Sequence, residues 1–386
     1  MYKRQVLDHR IYEQNRQPDE YALVLISIYE DFLWTGDGSL ILARKGDIKY
    51  IADSLINRFY DAKHGLIRSD TEIWERNLSP GFEFAHQIIA IQGLKSAENV
   101  LSLVYDQNTV FRYRDTRNEL QKNIARKFAK YVDPQHQRIL KRINQDESVS
   151  WHLQDDASIF YGLSLDKLNF DGPILDKTLD VAKSITSFIG GLYRYNPSID
   201  VIPTHINGPW VFPTLHYGQV LAEQKEFNQA ESILNWVDYV AIPRNAPEFS
   251  EHLAPYAQDE TFFDMDGGIG LPWSAAEYIK TIFKFIGINV VGPCQIEIKP
   301  NLPQRLSDVQ LQKLKVCRNE INIKIKGWGS EIKSWSKDGV KQSDAKIIIN
   351  AKETKEIEME MVEKRKVKSG NPNGVCLLYT SDAADE

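Results

Sequence analysis

Cysteine is scarce in this 386-residue chain, with three residues, Cys294, Cys317 and Cys376. Their number and spacing suggest neither a disulfide framework nor a cysteine zinc site. No uninterrupted apolar run reaches the roughly 18 residues that a membrane-spanning helix needs. Basic residues do not dominate: Lys+Arg 47 stand against Asp+Glu 53, a net charge of −6. That balance argues against a nucleic-acid partner and against an anionic membrane surface. The phosphate-cradling P-loop, a GxGxxG after a strand, HExxH and GxSxG are all missing. The eight histidines show no metal-ligand spacing, so no metal and no cofactor is expected. Aromatic residues, by contrast, are plentiful: 8 Trp, 17 Tyr and 16 Phe. Such side chains fill large cores, and they also form platforms for sugar rings.

Both ends read as foreign sequence. Residues 376–386 and 1–5 read back, codon by codon, as complementary copies of one transposase sequencing adapter. A gene fragment from Val6 to about Val375 is therefore expected, which leaves the compartment open, with the cytoplasm preferred. Cys376 then does not count.

Residues 19–290 carry mainly helical periodicity. In 227–240, Phe227, Ala230, Ile233, Leu234, Val237 and Val240 follow helical spacing. Segments 48–60, 118–132 and 178–188 behave alike. Segments 21–29 and 278–286 are apolar nearly all round, as helices buried on several sides are. The alternation of the two kinds predicts two concentric layers. The long stretches 61–82, 189–210 and 241–274 are rich in Gly, Pro, Trp and Asp, and long loops in a compact domain are usually functional. From about residue 291 the period changes to two, in 294–300, 320–329, 345–352 and 356–361. Lys337-Asp338-Gly339 reads as a hairpin turn. The expected organisation is a helical catalytic domain over 6–290, a small antiparallel, sandwich-like β-domain over 291–368 and a tail over 369–375. The basic run 363–371 reads as solvated chain.

With nucleophile and metal motifs missing, carboxylates in aromatic-rich loops remain. Acetal hydrolysis needs two of them, a protonated donor to the leaving oxygen and a partner that activates water or attacks carbon. The first candidate is Glu75, directly after Trp74, whose indole would shield its carboxyl from water and raise its pKa. Its bland alternative is a surface glutamate paired with Arg76. The second is Glu251, in a loop before Pro272-Trp273-Ser274; alternatively, Ser250 and Glu251 cap a turn. Asp259, Glu260, Asp264 and Asp266 compete for the second role. A third feature is Gly190-Gly191-Leu192-Tyr193-Arg194-Tyr195, with Gly208-Pro209-Trp210 further on. An arginine among glycines and aromatics offers a fork of donors to sugar hydroxyls, or an ion pair.

The order of these motifs resembles the glucoamylase family, family 15 of the glycoside hydrolases. The resemblance rests on Trp74-Glu75, Gly190-Gly191-x-x-Arg194-Tyr195, Pro209-Trp210, Ser250-Glu251 and Pro272-Trp273-Ser274, and covers residues 17–287. It implies a mostly α fold, an (α/α)6 barrel incomplete at its N-terminus and here followed by the β-domain. It implies exo-acting hydrolysis of α-glucosidic bonds with inversion, in an α-glucan or oligosaccharide substrate. By resemblance Glu75 is the general acid and Glu251 the general base. Trp74, Arg194, Tyr195, Trp210 and Trp273 bind the sugar. Two departures stand out. Arg76 occupies a position where many members have a second acid. The β-domain follows the helices, whereas in many members a β-sandwich precedes them. The segment from Gln17 to Leu23 resembles the family's third helix, which implies that the first helix pair is lost. Two alternatives are kept: another (α/α)6 glycan-active enzyme of phosphorylase or rhamnosidase type, and a non-catalytic glycan-binding or regulatory barrel.

Overall fold

The computed structural model describes residues 17–74, 76–166, 168–199, 208–241, 249–253, 265–269, 272–343 and 347–362. The two adapter-like ends, the tail, Glu75, Asp259, Glu260 and Asp264 lie outside the described residues.

The first half is built from long helices: α1 (Pro18–Thr35), α2 (Ser39–Phe59), α3 (Phe84–Leu101) and α4 (Gln107–Phe128). Shorter ones follow: α5 (Ser158–Leu165), α6 (Gly172–Leu179), α7 (Val181–Ile185), α8 (Val211–Glu223), α9 (Phe227–Trp236) and α10 (Pro272–Ile286). Local chemistry sets their ends. Pro18 and Pro272 open α1 and α10, where a missing N–H costs nothing. The Asp106 carboxylate accepts from Thr109 N at 2.9 Å and caps α4.

Packing sorts the helices into two layers. The inner arc runs α1, α3, α5, α8, α10, each packed on the next, while α2, α4 and α9 lie outside it. The sequence reflects this. Helix α3 is buried on nearly every side, from Phe84 through Leu101. Helix α4 buries only one stripe, including Val110, Tyr113, Leu120, Ile124 and Phe128. Gly93 lets α1 and α3 touch: a Cβ there would stand 2.6 Å from the Ala22 Cβ.

Short strands tie the inter-helix loops. β1 (Tyr60–Asp61) pairs with β2 (Leu66–Ile67), and β3 (Ser69–Thr71), β4 (Asn77–Glu83) and β7 (Arg142–Asn144) form one sheet. β5 (Ala129–Tyr131) pairs with β6 (Gln137–Ile139), and β8 (Ser250–Leu253) with β9 (Met265–Ile269). The predicted loop 61–82 is thus largely short strand, and the predicted helix 178–188 shrinks to the end of α6 and the short helix α7.

Beyond α10 the chain is β. β10 (Ile288–Gly292), β11 (Gln295–Ile298) and β16 (Ile347–Asn350) make one antiparallel sheet. β12 (Asp308–Val316), β13 (Asn319–Lys326), β14 (Ile332–Lys337), β15 (Val340–Gln342) and β17 (Glu356–Met361) make the other, in the order β12-β13-β17-β14-β15. Their inner faces share one core that includes Ile296, Ile298, Ile347, Ile349, Ile321, Ile323, Ile325 and Met359. The sheets are not purely antiparallel, as the sequence suggested. β13 and β17 run parallel, from Asn322 opposite Glu356 to Lys326 opposite Glu360. A parallel pair needs a long crossover, and the intervening strands β14 to β16 supply it.

The cysteines also correct the sequence reading. Cys294 and Cys317 form a disulfide, with Cα atoms 5.3 Å apart. Each sits in a turn between strands, and both turns fold over the end of α1. Cys294 N donates to Leu33 O and Cys317 N to Trp34 O, so two of the helix's last carbonyls are satisfied there. A separation of 23 residues in the chain says nothing of this adjacency; the shared docking on α1 creates it.

Candidate functional site

Four loops meet at one end of the helical arc. The first, residues 69–83, turns tightly between β3 and β4. Glu72 N donates to Arg76 O at 3.0 Å, and Ile73 N donates to the Glu83 carboxylate at 3.0 Å. The turn is therefore held on both sides of Trp74. The other three loops are joined to one another through isolated backbone bridges, Asp156 with Tyr195, Leu192 with Trp210, and Trp210 with His252, and the Trp74 indole ties the first loop to Asp156. Ala157 N donates to Arg194 O at 2.9 Å and Leu253 N to Pro209 O at 3.0 Å. Residues far apart in the chain are brought side by side in this way.

Arg194 is the centre of the arrangement. Its guanidinium lies 3.3 Å from the Trp210 ring centroid and 4.9 Å from that of Trp74. A planar cation between two indole faces is held by the ring quadrupoles. Trp210 in turn packs on His252, with ring centroids 4.4 Å apart. Glu251, immediately before His252 on β8, is partly exposed. Trp74, Arg194, Trp210 and the strand carrying Glu251 are thus brought together. Glu75 lies outside the described residues. Trp273 is 37% exposed in the first turn of α10.

Tyr195 reaches behind the clamp rather than into open space. Its side chain is buried, its hydroxyl donates to Glu72 at 2.6 Å, and the Arg76 guanidinium sits 4.3 Å from its ring centroid. Arg76 pairs with Glu72, which lies four residues before it. The glycines before Arg194 answer to packing. Gly190 and Gly191 both have positive φ, and a Cβ on Gly191 would stand 2.3 Å from the Trp236 ring. The indole of Trp236 lies against this backbone and donates to Ile189 O at 3.0 Å.

Sequence reasoning missed what lies beneath. Lys141, fully buried on the segment leading into β7, donates to Glu72 at 2.5 Å and to Asp156. The other Asp156 oxygen accepts from the Trp74 indole N–H at 2.9 Å and from Ser158 N at 2.7 Å. One ammonium therefore links the residues that fix Trp74 to those that fix Tyr195. Burial opposes the charge on Lys141, but Asp156, Glu72 and Glu83 hold its pKa above the ordinary lysine value. Burial likewise opposes ionisation of Glu72, but the Lys141 and Arg76 charges outweigh it and lower its pKa. A second buried group adjoins it: His86 lies 3.3 Å from Glu83 and 3.2 Å from Asp19. Burial works against its proton, and the two carboxylates prevail and raise its pKa. The available signal was a Lys-Arg pair inside the apolar run Ile139-Leu140-Lys141-Arg142-Ile143, since charges in such a run must be paired when buried. Among the described residues, no cluster of His, Cys, Asp and Glu is arranged to hold a metal ion.

No family model and no curated protein matches the sequence. Solved structures resemble this chain in fold. A sialidase structure is similar over 84% of this chain and 32% of its own, at 13% identity and a TM-score of 0.65. A metal-independent α-mannosidase from Streptococcus pneumoniae is similar over 69% of this chain and 68% of its own, at 10% identity and a TM-score of 0.52. A glucoamylase from Saccharomycopsis fibuligera is similar over 70% of this chain and 69% of its own, at 15% identity and a TM-score of 0.50. The chain spans about a third of the sialidase's length. At these identities the likeness establishes the fold: a mostly helical body of the kind found in (α/α)6 glycosidase structures, with a separate small sheet region after it.

Proposed function

We propose that the chain belongs to an inverting, exo-acting glycoside hydrolase of the glucoamylase type, releasing glucose from the non-reducing end of an α-glucan or α-glucoside. The observation that carries this reading is the convergence on Arg194. Trp74, which precedes the proposed acid, and Trp210, which is bridged to the strand of the proposed base, both pack against one guanidinium. In this reading Glu75 protonates the leaving glycosidic oxygen and Glu251 takes a proton from the attacking water. Inversion requires roughly 6.5–9.5 Å between the two carboxyl groups, so that water fits between sugar and base. Arg194, Trp74, Trp210 and Trp273 would orient the terminal ring by hydrogen bonds and apolar contact. Tyr195, first read as a sugar contact, acts from behind, by fixing Glu72. The names of the structural neighbours, among them a glucoamylase and an α-mannosidase, agree with a glycan substrate and leave the linkage to assay.

The test is hydrolysis of maltooligosaccharide, isomaltose, trehalose and α-1,6-mannobiose, with the anomer of the product followed by NMR. Glu75→Gln and Glu251→Gln should each reduce turnover at least ~10²-fold without loss of fold, and the wild-type product should be the β-anomer of glucose. Unchanged turnover in either variant removes that residue from the mechanism. Release of mannose alone would move the substrate class while leaving the acid–base pair in place. A strict requirement for phosphate would favour a phosphorylase.

A further inference from the structure

A second concave site adjoins the clamp. The loop that carries Asp156 inward carries Asp155 and Trp151 outward, into a cavity of about 250 Å³. Trp151 is 50% exposed, an unusual place for the largest apolar side chain unless something covers it. Val132 and Val181 give the cavity an apolar floor. The polar lining is balanced in charge and fixed in place. Arg138 pairs with Asp155 at 2.8 Å and Lys177 with Asp180 at 3.4 Å. Ser184 Oγ and Asn196 Nδ2 both donate to Asp155, at 3.0 and 3.2 Å. Arg138 Nε is buried and makes no hydrogen bond among the described residues.

We propose that this cavity is a binding site for a neutral saccharide, separate from the Arg194 clamp, with Trp151 as the stacking platform and Arg138, Asp155, Lys177, Asp180 and Ser184 as the hydroxyl-binding rim. Three features select this ligand class. An exposed indole beside polar groups matches a pyranose ring, which has an apolar face and an edge of hydroxyls. Hydroxyls both donate and accept, and the rim offers both, through two cations and two carboxylates. An anionic ligand would face Asp155 and Asp180, whose charges already cancel those of Arg138 and Lys177. The cavity is small, about the size for a single sugar ring. Asn196 bonds Asp155 and follows Tyr195 directly, so the cavity and the clamp share two loops. A longer glycan held here would be retained close to the clamp.

The readout is binding rather than turnover, so this inference and the proposed hydrolysis fail separately. The full chain is applied to an array of neutral gluco-, manno-, galacto- and rhamno-oligosaccharides and of sialylated glycans, and positive ligands are titrated calorimetrically. At least one neutral glycan should bind, and Trp151→Ala should weaken that binding, or remove one of two binding steps, by at least ~10-fold. Trp151→Phe, which keeps a flat apolar face, should retain most of it. Trp151 is exposed, so the thermal midpoints of both variants should match the wild type. Absence of binding by any neutral glycan overturns the proposal. So does equal binding by wild type and Trp151→Ala, or a preference for the sialylated glycans.

Discussion

Removing the charge of Lys141 gives the sharpest test of how the site is held. Lys141 is fully buried and bonded to two carboxylates, Glu72 and Asp156, that are themselves buried. In Lys141→Met the side-chain volume is nearly kept, so the cavity cost is small. The electrostatic cost is not: Glu72 retains Arg76 and Tyr195, but Asp156 keeps only the Trp74 indole and the Ser158 amide. Breaking a buried ion pair from one side costs about 3–5 kcal/mol, because the charge left behind has lost its solvent and its partner. Equilibrium unfolding in guanidinium should show a loss of that size with an unchanged m-value. Lys141→Met combined with Glu72→Gln and Asp156→Asn removes all three charges and should recover most of the loss. The side-chain amide oxygen introduced by Asp156→Asn would still accept from the Trp74 indole. A single substitution that costs under about 1 kcal/mol, or a triple variant no better than the single one, would refute the reasoning. Glu72 adds a pH signature. Its folded pKa is lowered, so its stabilisation is full above the unfolded carboxylate value near ~4.3 and is lost as acid takes it through the folded pKa. That acid-dependent part should shrink in Lys141→Met.

Three further expectations follow from separate parts of the molecule. Replacing Cys294 and Cys317 by serine opens a loop spanning 23 residues, for which chain entropy gives about 3 kcal/mol; unfolding of the oxidised and reduced wild type should bracket the same difference, and coincident curves would remove it. Gly191→Ala meets both a positive φ and the Trp236 ring, so a loss of about 2–3 kcal/mol in thermal or chemical unfolding is expected, with no loss meaning that the ring can move aside. Burial lowers the pKa of His216 to about 3. The unfolded chain therefore binds a proton below about 6.5 that the folded chain refuses, and stability should fall as pH drops from there towards 3, by up to about 5 kcal/mol. In His216→Gln that slope should flatten, and an equally steep profile would assign the acid sensitivity to other groups.

Much of the fold was legible in the sequence because burial leaves a periodic record. The all-round apolar stretch at 21–29 falls in the inner helix α1, and the striped 118–132 follows the outer helix α4 only as far as Phe128, where β5 begins. The period-two segments after residue 291 are strands that share one core. The long loops were legible as functional candidates by composition, and the structure bridges two of them, 189–210 and 241–274, through Trp210 and His252. Less was legible where a single residue type permits several partners. Arg76 pairs with Glu72, four residues before it, and covers Tyr195, partners that adjacency in the chain does not suggest. In the sequence Gly190 and Gly191 stand out only as the setting of Arg194, and the Trp236 ring that sets their need for glycine lies more than 40 residues further along the chain.

By itself, then, the sequence determined the elements. Which long segments are helix or strand, which helices are buried on one side or on several, and where the chemistry-bearing loops lie are properties of local spacing, while the short strands within 61–82 left no such record. Only the tertiary structure decided the pairings. The disulfide over the end of α1, the parallel match of β13 with β17, and the ammonium of Lys141 between Glu72 and Asp156 all join residues whose sequence neighbours give no sign of one another. The physical reason is that hydrophobic burial is non-directional and can be met by many partners. Hydrogen bonds and ion pairs, in contrast, act over a few ångströms between particular atoms, and those atoms become neighbours only after the helices have packed.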